Sequence, residues 1–221
     1  MARQDGPGPA ETVVFIHGLW MTGMELYFLR RRVSQAGYET ERFSYRTLAG
    51  SLDENAESLR DWLEEVDNVR VHLVAHSLGG LLTLRLFQRF GPVVNGKVVF
   101  MGSPVRGSQA ARATASIRLG EVILGRSGQE GLLHEDEAEW PWDNELGIIA
   151  GTRGIGVGTA LSDLPEPHDG TVAVRETHIH GARDRIQLDV SHTSMIMSRQ
   201  VADQIVHFLR ESRFYHSPHD D

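Results

Sequence analysis

The sequence lacks cysteine altogether, and its 221 residues contain neither an excess of basic residues nor a long apolar run. Without cysteine, the chain has no disulfides and no thiolate ligands for a metal. Its 30 acidic residues outnumber the 22 lysines and arginines, and the formal net charge is -8. Nucleic-acid binding and docking on anionic lipid by charge both need basic clusters. We therefore expect no nucleic acid partner and no stable membrane anchor.

The amino-terminal residues also lack the features of a targeting segment. Residues 1–10 are polar with Gly and Pro, and they contain no apolar core like that of a signal peptide. No run in the chain approaches the roughly 18 apolar residues of a membrane span. The absence of cysteine fits a reducing compartment. These features predict a cytoplasmic protein with a loose tail at residues 1–10.

Short apolar strands alternate with helical patterns along most of the chain. Strand patterns occur at residues 12–16, 38–45, 69–75, 97–101, 146–150 and 185–190. Helical spacing of apolar residues occurs at 25–36, 53–66, 78–90, 110–124 and 194–210. Such alternation produces βαβ units around a mainly parallel sheet with helices on both faces. The length suits one domain, so we predict a single α/β domain over residues 1–221.

The stretch from residue 110 to residue 144 interrupts this alternation. It begins with small residues, continues through a Gly-rich and acidic segment, and contains Trp140-Pro141-Trp142. We interpret it as a small inserted cap or lid. Trp140 and Trp142 then either cover a hydrophobic substrate or fix the cap to the body of the domain. Residues 214–221 are expected to form a second loose tail.

Residues 71–80, VHLVAHSLGG, place Ser77 between a strand pattern and a helix pattern. A serine hydroxyl becomes a nucleophile when it has a base within hydrogen-bond reach and donors for the oxyanion. A tight turn from strand to helix exposes the hydroxyl at the carboxyl edge of the sheet. Ala75 and Gly79 are small enough to let strand and helix approach closely. We predict that Ser77 is a nucleophile, with an ordinary strand-to-helix loop as the alternative.

Several segments resemble those of α/β-hydrolases, in particular of small bacterial lipases and esterases. VHLVAHSLGGLL is similar to the nucleophile elbow of that family, although Ala75 stands where the G-x-S-x-G pattern has glycine. VVFIHGLW resembles its first core strand and His-Gly oxyanion loop, and VVFMGSPVRGSQAA resembles the strand and loop after the nucleophile helix. HDGTV and DVSHTSM are similar to its acid and histidine segments. The resemblance covers residues 12–210, least well in the cap, and implies an α/β-hydrolase fold.

The family order of serine, acid and histidine along the chain implies partners for Ser77. His192 follows the strand pattern RIQLDV and precedes a helix, so we predict it as the general base, with His180 as the alternative. For the acid we predict Asp169, in a loop where Gly170 permits a tight turn. The alternatives for the acid are Asp163, Asp184 and Asp189.

The same resemblance implies an oxyanion hole made of two backbone N–H groups. One would belong to Leu78, directly after the serine, and the other to Leu19, directly after the His-Gly pair. His17 and His76 lie too early in the chain for the general base. We interpret both as structural residues that form hydrogen bonds.

Apolar side chains near these segments suggest a pocket for an acyl group. Trp20, Met21 and Met24 follow the oxyanion loop, and Met195 and Met197 follow the predicted histidine. Methionine adapts to varied ligand shapes, and ligand pockets are mostly apolar. We predict a substrate pocket that includes Trp20, Met21, Met24 and Met195. Core packing is the alternative for Met195 and Met197.

These residues together predict a serine hydrolase that cleaves small-molecule or lipid carboxylic esters through an acyl-enzyme. We expect no cofactor and no metal, because GTRGIGVG lacks the ending of a phosphate loop and His178 and His180 have no third ligand nearby in the sequence. The sequence leaves a thioesterase, an amidase or an acyltransferase with the same triad as alternatives. It also leaves a non-catalytic binding module with a hydrolase fold.

Overall fold

A computed structural model describes residues 11–66, 69–117, 120–133, 137–156 and 164–216. Within these ranges, six strands form one sheet in the order β2-β1-β3-β4-β5-β6. The strands are β1 (Glu11–Ile16), β2 (Glu39–Phe43), β3 (Arg70–His76), β4 (Val98–Met101), β5 (Leu146–Gly151) and β6 (Asp184–Leu188). Every pairing of neighbouring strands is parallel, so the prediction of a mainly parallel sheet is confirmed. The predicted tail at residues 1–10 lies outside the described residues.

Helices cover both faces of this sheet. They are α1 (Tyr27–Gln35), α2 (Leu52–Glu64), α3 (Leu78–Phe90), α4 (Gln109–Ala115), α5 (Gly120–Leu132) and α6 (Arg199–Glu211). Helices α2, α3 and α5 contribute buried residues to one apolar cluster, and α1 and α6 contribute to the other. None of these helices in the described part of the chain is long and apolar enough to cross a membrane.

Alternation along the strands explains why the sheet has two apolar faces. Successive side chains of a strand point to opposite faces, and a parallel sheet covered on both sides needs apolar residues at nearly every position. In β1, Val14 and Ile16 belong to the α2–α3 cluster, whereas Val13 and Phe15 belong to the α1–α6 cluster. The continuous apolar run of β1 is therefore buried on both sides.

The single helix predicted at residues 110–124 is wrong, because the chain forms the two helices α4 and α5 there. A Cβ added at Gly120 would lie only 1.8 Å from the carbonyl oxygen of Thr114, so the chain folds back tightly after α4. Helix α5 is itself kinked at Gly125, whose φ of 66° is outside the helical region. Gly120 and Gly125 fit the helical spacing, but Gly120 permits the chain to reverse after α4 and Gly125 permits the kink in α5.

The helix predicted at residues 194–210 also begins differently. A short 3-10 helix, Ser194–Met197, comes first, and Ser198 then adopts an extended conformation with φ -80° and ψ 126°. The Ser198 hydroxyl accepts a hydrogen bond from the Val201 N–H and caps α6. Ser198 therefore separates the predicted single helix into a short 3-10 helix and α6.

The predicted loose tail at residues 214–221 is wrong for its first residues. Phe214 is 2% exposed, and its ring stacks on Phe208 of α6 with 4.9 Å between centroids. The Phe214 N–H donates to Asp184, and the Tyr215 N–H donates to Gln204. These contacts anchor the chain against α6 and β6, and residues 217–221 lie outside the described part.

Trp140 lies in an aromatic cluster between α3 and the sheet. It is 3% exposed, and its ring centroid is 4.6 Å from that of Phe87, 5.8 Å from that of Phe100 and 4.8 Å from that of Trp142. Its indole N–H donates to the Asn144 carbonyl at 2.6 Å. Of the two roles considered for these tryptophans, the contacts correspond to fixing the segment to the body of the domain.

Trp140→Ala is expected to lower the free energy of unfolding by about 3–5 kcal/mol, the usual cost of truncating a buried aromatic side chain. Trp20→Ala is the matched control, because Trp20 is 57% exposed, and its expected cost is below about 1 kcal/mol. Urea unfolding followed by far-UV circular dichroism measures both values. Equal losses in the two variants would contradict the packing role assigned to Trp140.

Candidate active site

Ser77 lies on the sharp turn between β3, which ends at His76, and α3, which begins at Leu78. Its backbone has φ 55° and ψ -123°, a conformation that is costly for a residue with a side chain. The turn is held by the Ser77 N–H, which donates to the Met101 carbonyl of β4 at 2.9 Å. A strained turn from strand to helix of this kind exposes a serine hydroxyl at the edge of the sheet.

Small residues on both sides of Ser77 allow this turn. A Cβ added at Gly79 would lie 2.6 Å from the Ile16 carbonyl oxygen and 2.7 Å from that of His17. Helix α3 therefore begins in contact with the end of β1, at a distance that only glycine permits. Ala75 is fully buried in the sheet opposite Ile16, where its methyl group is accommodated in the core. Alanine in place of the first glycine of the motif thus fits this fold.

Gly79→Ala is expected to lower the free energy of unfolding by at least about 1–3 kcal/mol, because the new methyl group overlaps two backbone carbonyls. The reactivity of the Ser77 hydroxyl should fall as well, since the turn that carries it must shift. Chemical denaturation and the rate of labelling of Ser77 by a fluorophosphonate probe measure the two effects. Ala75→Gly is the control, with an expected cost of about 0.5–1 kcal/mol. A Gly79→Ala protein with wild-type stability would contradict the close approach.

Three predicted residues from separate loops come together in one hydrogen-bonded chain. His192 Nε2 lies 3.0 Å from Ser77 Oγ, and His192 Nδ1 lies 2.7 Å from Asp169 Oδ2. The three residues follow β3, β5 and β6, so parallel strands deliver them to the same edge of the sheet. The His192 N–H also donates to the Asp169 carbonyl at 2.8 Å, which ties the two loops together.

The alternative residues lie elsewhere or have other partners. Asp184 is paired with His216, and Asp189 forms a surface ion pair with Arg153. His180 is exposed. Asp163 lies outside the described residues.

The environment of Asp169 favours its ionised form. The residue is 1% exposed, and burial alone raises the pKa of its carboxyl group. His192 and the N–H groups of Val172 and Thr171 outweigh burial, so the pKa lies below its ordinary value. Both N–H groups donate to Oδ1, at 2.7 Å and 2.9 Å, which leaves Oδ2 for His192. An ionised Asp169 keeps the imidazole proton of His192 on Nδ1 and leaves Nε2 free to accept a proton.

Of the two predicted oxyanion residues, Leu78 directly follows Ser77, and Leu19 belongs to the loop after β1. Leu78 is the first residue of α3, where a backbone N–H has no partner within the helix. The loop that contains Leu19 passes close to the serine, because a Cβ added at Gly18 would lie 3.0 Å from Ser77 Cβ. Trp20 has φ 60°, and its indole N–H donates to the Ile123 carbonyl at 2.8 Å. This hydrogen bond links the loop to the first half of α5.

The predicted pocket residues separate into exposed and buried ones. Trp20 is 57% and Met24 is 62% exposed, and Met21 is half-buried against the α1–α6 cluster. Met195 is fully buried in that same cluster, so its prediction as a pocket residue is wrong and the alternative of core packing is the one observed. Met197 is 66% exposed, so core packing does not describe it.

His76 packs directly against His192. Its ring centroid lies 4.8 Å from that of His192, and its Nε2 lies 3.3 Å from the His192 carbonyl oxygen. Burial, reinforced by the neighbouring His192, lowers the pKa of His76 to about 3. His76 is therefore neutral at physiological pH. It packs against the loop of His192, in line with its interpretation from the sequence as a structural residue that forms hydrogen bonds.

Sequence reasoning missed Tyr45, which follows the end of β2 and contacts His17 with both its ring and its hydroxyl. The only sequence signal was an aromatic residue at the end of a strand pattern.

Comparison with known proteins gives the family. The model of the alpha/beta hydrolase family matches residues 13–221, which is nearly the whole chain. The chain belongs to the alpha/beta hydrolase family. The fold expected from the sequence resemblance is thereby confirmed for this alpha/beta hydrolase. A comparison with curated proteins finds no match.

Solved structures share the fold of this alpha/beta hydrolase at low identity. The mature form of the lipase BlEst2 from Bacillus licheniformis aligns with a TM-score of 0.71 at 19% identity, covering 93% of this chain and 92% of that one. A bromoperoxidase from Bacillus anthracis gives a TM-score of 0.62 at 15% identity, with coverages of 92% and 93%. The carboxylesterase CesB from Bacillus subtilis gives a TM-score of 0.58 at 12% identity, with coverages of 94% and 86%. At these identities the likeness concerns the fold alone.

Proposed function

We propose that this alpha/beta hydrolase cleaves carboxylic esters through an acyl-enzyme on Ser77. The hydrogen-bonded chain from Asp169 Oδ2 through His192 to Ser77 Oγ, with distances of 2.7 Å and 3.0 Å, is the observation that carries the proposal. A hydroxyl with a base at this distance, and a base oriented by a buried carboxylate, is the arrangement that acyl transfer requires.

The reaction follows from these contacts. His192 Nε2 accepts the Ser77 proton while Oγ attacks the ester carbonyl, and Asp169 stabilises the imidazolium that forms. The N–H groups of Leu19 and Leu78 donate to the oxyanion of the tetrahedral intermediate. His192 then donates its proton to the leaving alcohol, which departs and leaves Ser77 acylated. His192 then deprotonates a water molecule, which attacks the acyl carbonyl. The bond to Oγ breaks as His192 returns this proton to Ser77, and the carboxylic acid leaves.

Exposed apolar side chains that follow the predicted oxyanion loop in the sequence favour an ester with an apolar acyl group. Trp20 and Met24 are exposed on the segment that follows the oxyanion loop, and both present apolar surface to solvent. Two proteins with a similar fold, BlEst2 and CesB, are described as a lipase and a carboxylesterase. The bromoperoxidase with the same fold makes clear that the fold alone does not select the reaction, so the substrate class needs a direct assay.

Matched substrates with one acyl group as ester, thioester and amide test this proposal, with the wild type and Ser77→Ala assayed side by side. We expect kcat/KM to be highest for the ester and all activity to depend on Ser77. A series of p-nitrophenyl esters of increasing chain length then measures how long an acyl group the site accepts. A clear preference for the thioester or amide would replace the ester assignment, and a fully active Ser77→Ala would overturn the use of Ser77.

A further inference from the structure

His17 and Tyr45 form a buried pair directly behind the oxyanion loop. His17 is fully buried, Tyr45 is 9% exposed, and their rings stack with centroids 4.5 Å apart and planes inclined by 19°. The Tyr45 hydroxyl donates to the His17 carbonyl oxygen at 2.9 Å. The Tyr45 backbone N–H lies 3.3 Å from His17 Nε2. Tyr45 therefore contacts both the backbone and the ring of His17.

These contacts select one tautomer of His17. A backbone N–H can only donate, so Nε2 must accept and the ring proton lies on Nδ1. His17 Nδ1 is 2.9 Å from the carbonyl oxygen of Gly18, which accepts that proton in a hydrogen bond. Burial lowers the pKa of His17, although its hydrogen bond to Gly18 and the charge of Glu25 oppose burial, and Arg42 lowers it further. The neutral ring is also the only form that suits the Tyr45 N–H.

The hydrogen bond to the Gly18 carbonyl determines the direction of the next N–H group. In a trans peptide, the carbonyl and the N–H that follows it point in opposite directions within one plane. The Gly18 carbonyl and the Leu19 N–H share such a plane. The Met21 N–H also donates to the Gly18 carbonyl, at 3.4 Å. Holding the carbonyl towards His17 therefore turns the Leu19 N–H away from the His17 ring.

We infer that His17 and Tyr45 are a positioning pair that orients the Leu19 N–H towards the oxyanion formed at Ser77. The inference rests on the proposed acyl transfer and extends it to two residues that touch neither substrate nor nucleophile. The pair acts through the Gly18–Leu19 peptide, so it contributes when negative charge develops on the substrate oxygen. Its loss should reduce kcat rather than weaken substrate binding.

Three variants test the pair with p-nitrophenyl butyrate as the substrate. His17→Phe keeps an aromatic ring but removes the donor to Gly18, and we expect kcat to fall about 10- to 100-fold with little change in KM, because removing an oxyanion donor outright costs about 100- to 1000-fold. His17→Asn, whose amide can replace the Nδ1 donor, should recover part of that loss. Tyr45→Phe removes only the hydroxyl and should lower kcat by less than His17→Phe does.

His72→Phe is the control for the general effect of replacing a buried histidine. His72 is also fully buried, and its Nδ1 accepts a hydrogen bond from the Lys97 backbone N–H. The substitution should lower the melting temperature and leave kcat near the wild-type value. A folded His17→Phe protein with wild-type kcat, or one altered only in KM, would overturn the inference. If His17→Phe does not fold, Tyr45→Phe decides, and an unchanged kcat there would overturn it equally. Activity that survives Ser77→Ala would instead remove the proposed function and this inference with it.

Discussion

Ser77→Ala is expected to lower kcat/KM for p-nitrophenyl esters by about 10⁴-fold or more, the scale found when a serine hydrolase loses its nucleophile. The methyl group cannot attack the ester, so only substrate binding and the oxyanion donors would remain. The fold should survive, because the strained turn is held by backbone hydrogen bonds to Met101 and from Gly80. The assay therefore needs the melting temperature beside it, and that value should stay near the wild type.

Ser103→Ala is the matched control for this experiment. Like Ser77, Ser103 lies in a loop at the carboxyl end of a strand, but Ser103 is buried whereas Ser77 is half-buried. Among the hydrogen bonds described, the Ser103 hydroxyl contacts only the Met101 carbonyl, at 3.5 Å. Its activity should be close to the wild type. Equal losses in Ser77→Ala and Ser103→Ala would indicate a general effect of removing a serine hydroxyl near this edge of the sheet and would argue against a nucleophile.

Asp169→Asn is expected to lower kcat by about 10⁴-fold, the effect of the corresponding substitution of the triad acid in a serine protease. The hydrogen bonds of the Asp169 carboxylate explain this loss. The N–H groups of Thr171 and Val172 both donate to Oδ1, so the carboxamide oxygen must take that position. The NH₂ group then faces His192 Nδ1 and can only donate to it. The His192 ring proton must then move from Nδ1 to Nε2. A protonated Nε2 cannot accept the Ser77 proton, so His192 no longer acts as a base.

The control for this variant is Asp189→Asn, which removes a carboxylate close in sequence to His192 but paired with Arg153 on the surface. Its kcat should remain near the wild type. A modest loss in Asp169→Asn, similar to that in Asp189→Asn, would mean that another group orients His192.

The lowered pKa of Asp169 also predicts the pH dependence of stability. A carboxyl group with a lower pKa in the folded than in the unfolded state stabilises the fold fully above its unfolded pKa of about 4. That contribution is lost as the pH falls through the lowered folded value. The wild type should therefore lose more unfolding free energy between neutral and acid pH than Asp169→Asn, measured by urea unfolding at several pH values.

The sequence was most informative where chemistry and topology coincide. Alternating strand and helix patterns predicted a parallel sheet, and in such a sheet the carboxyl ends of the strands meet along one edge. Ser77, Asp169 and His192 each follow a strand pattern, so their proximity in space follows from the topology. The turn at Ser77 needed only local signals, namely a strand, a small residue on either side and a helix.

Features that depend on contacts between distant segments were not predictable in this way. The spacing of 110–124 fits a helix, but the contact of Gly120 with the Thr114 carbonyl reverses the chain. Met195 follows the predicted histidine like a pocket residue, yet the short helix that carries it turns its side chain into the core. Tyr45 reaches His17 across the β1–β2 pairing, and no local pattern marks a residue that acts through a partner 28 positions away.

Reaction with a fluorophosphonate probe, followed by mass spectrometry of the digested protein, tests the central claim most directly. The reagent phosphonylates a serine only where a base activates the hydroxyl. The account predicts one adduct, on the peptide that contains Ser77, absent from Ser77→Ala and formed much more slowly in Asp169→Asn. A folded wild-type protein that forms no adduct, or forms it on another residue, would contradict Ser77 as the activated nucleophile.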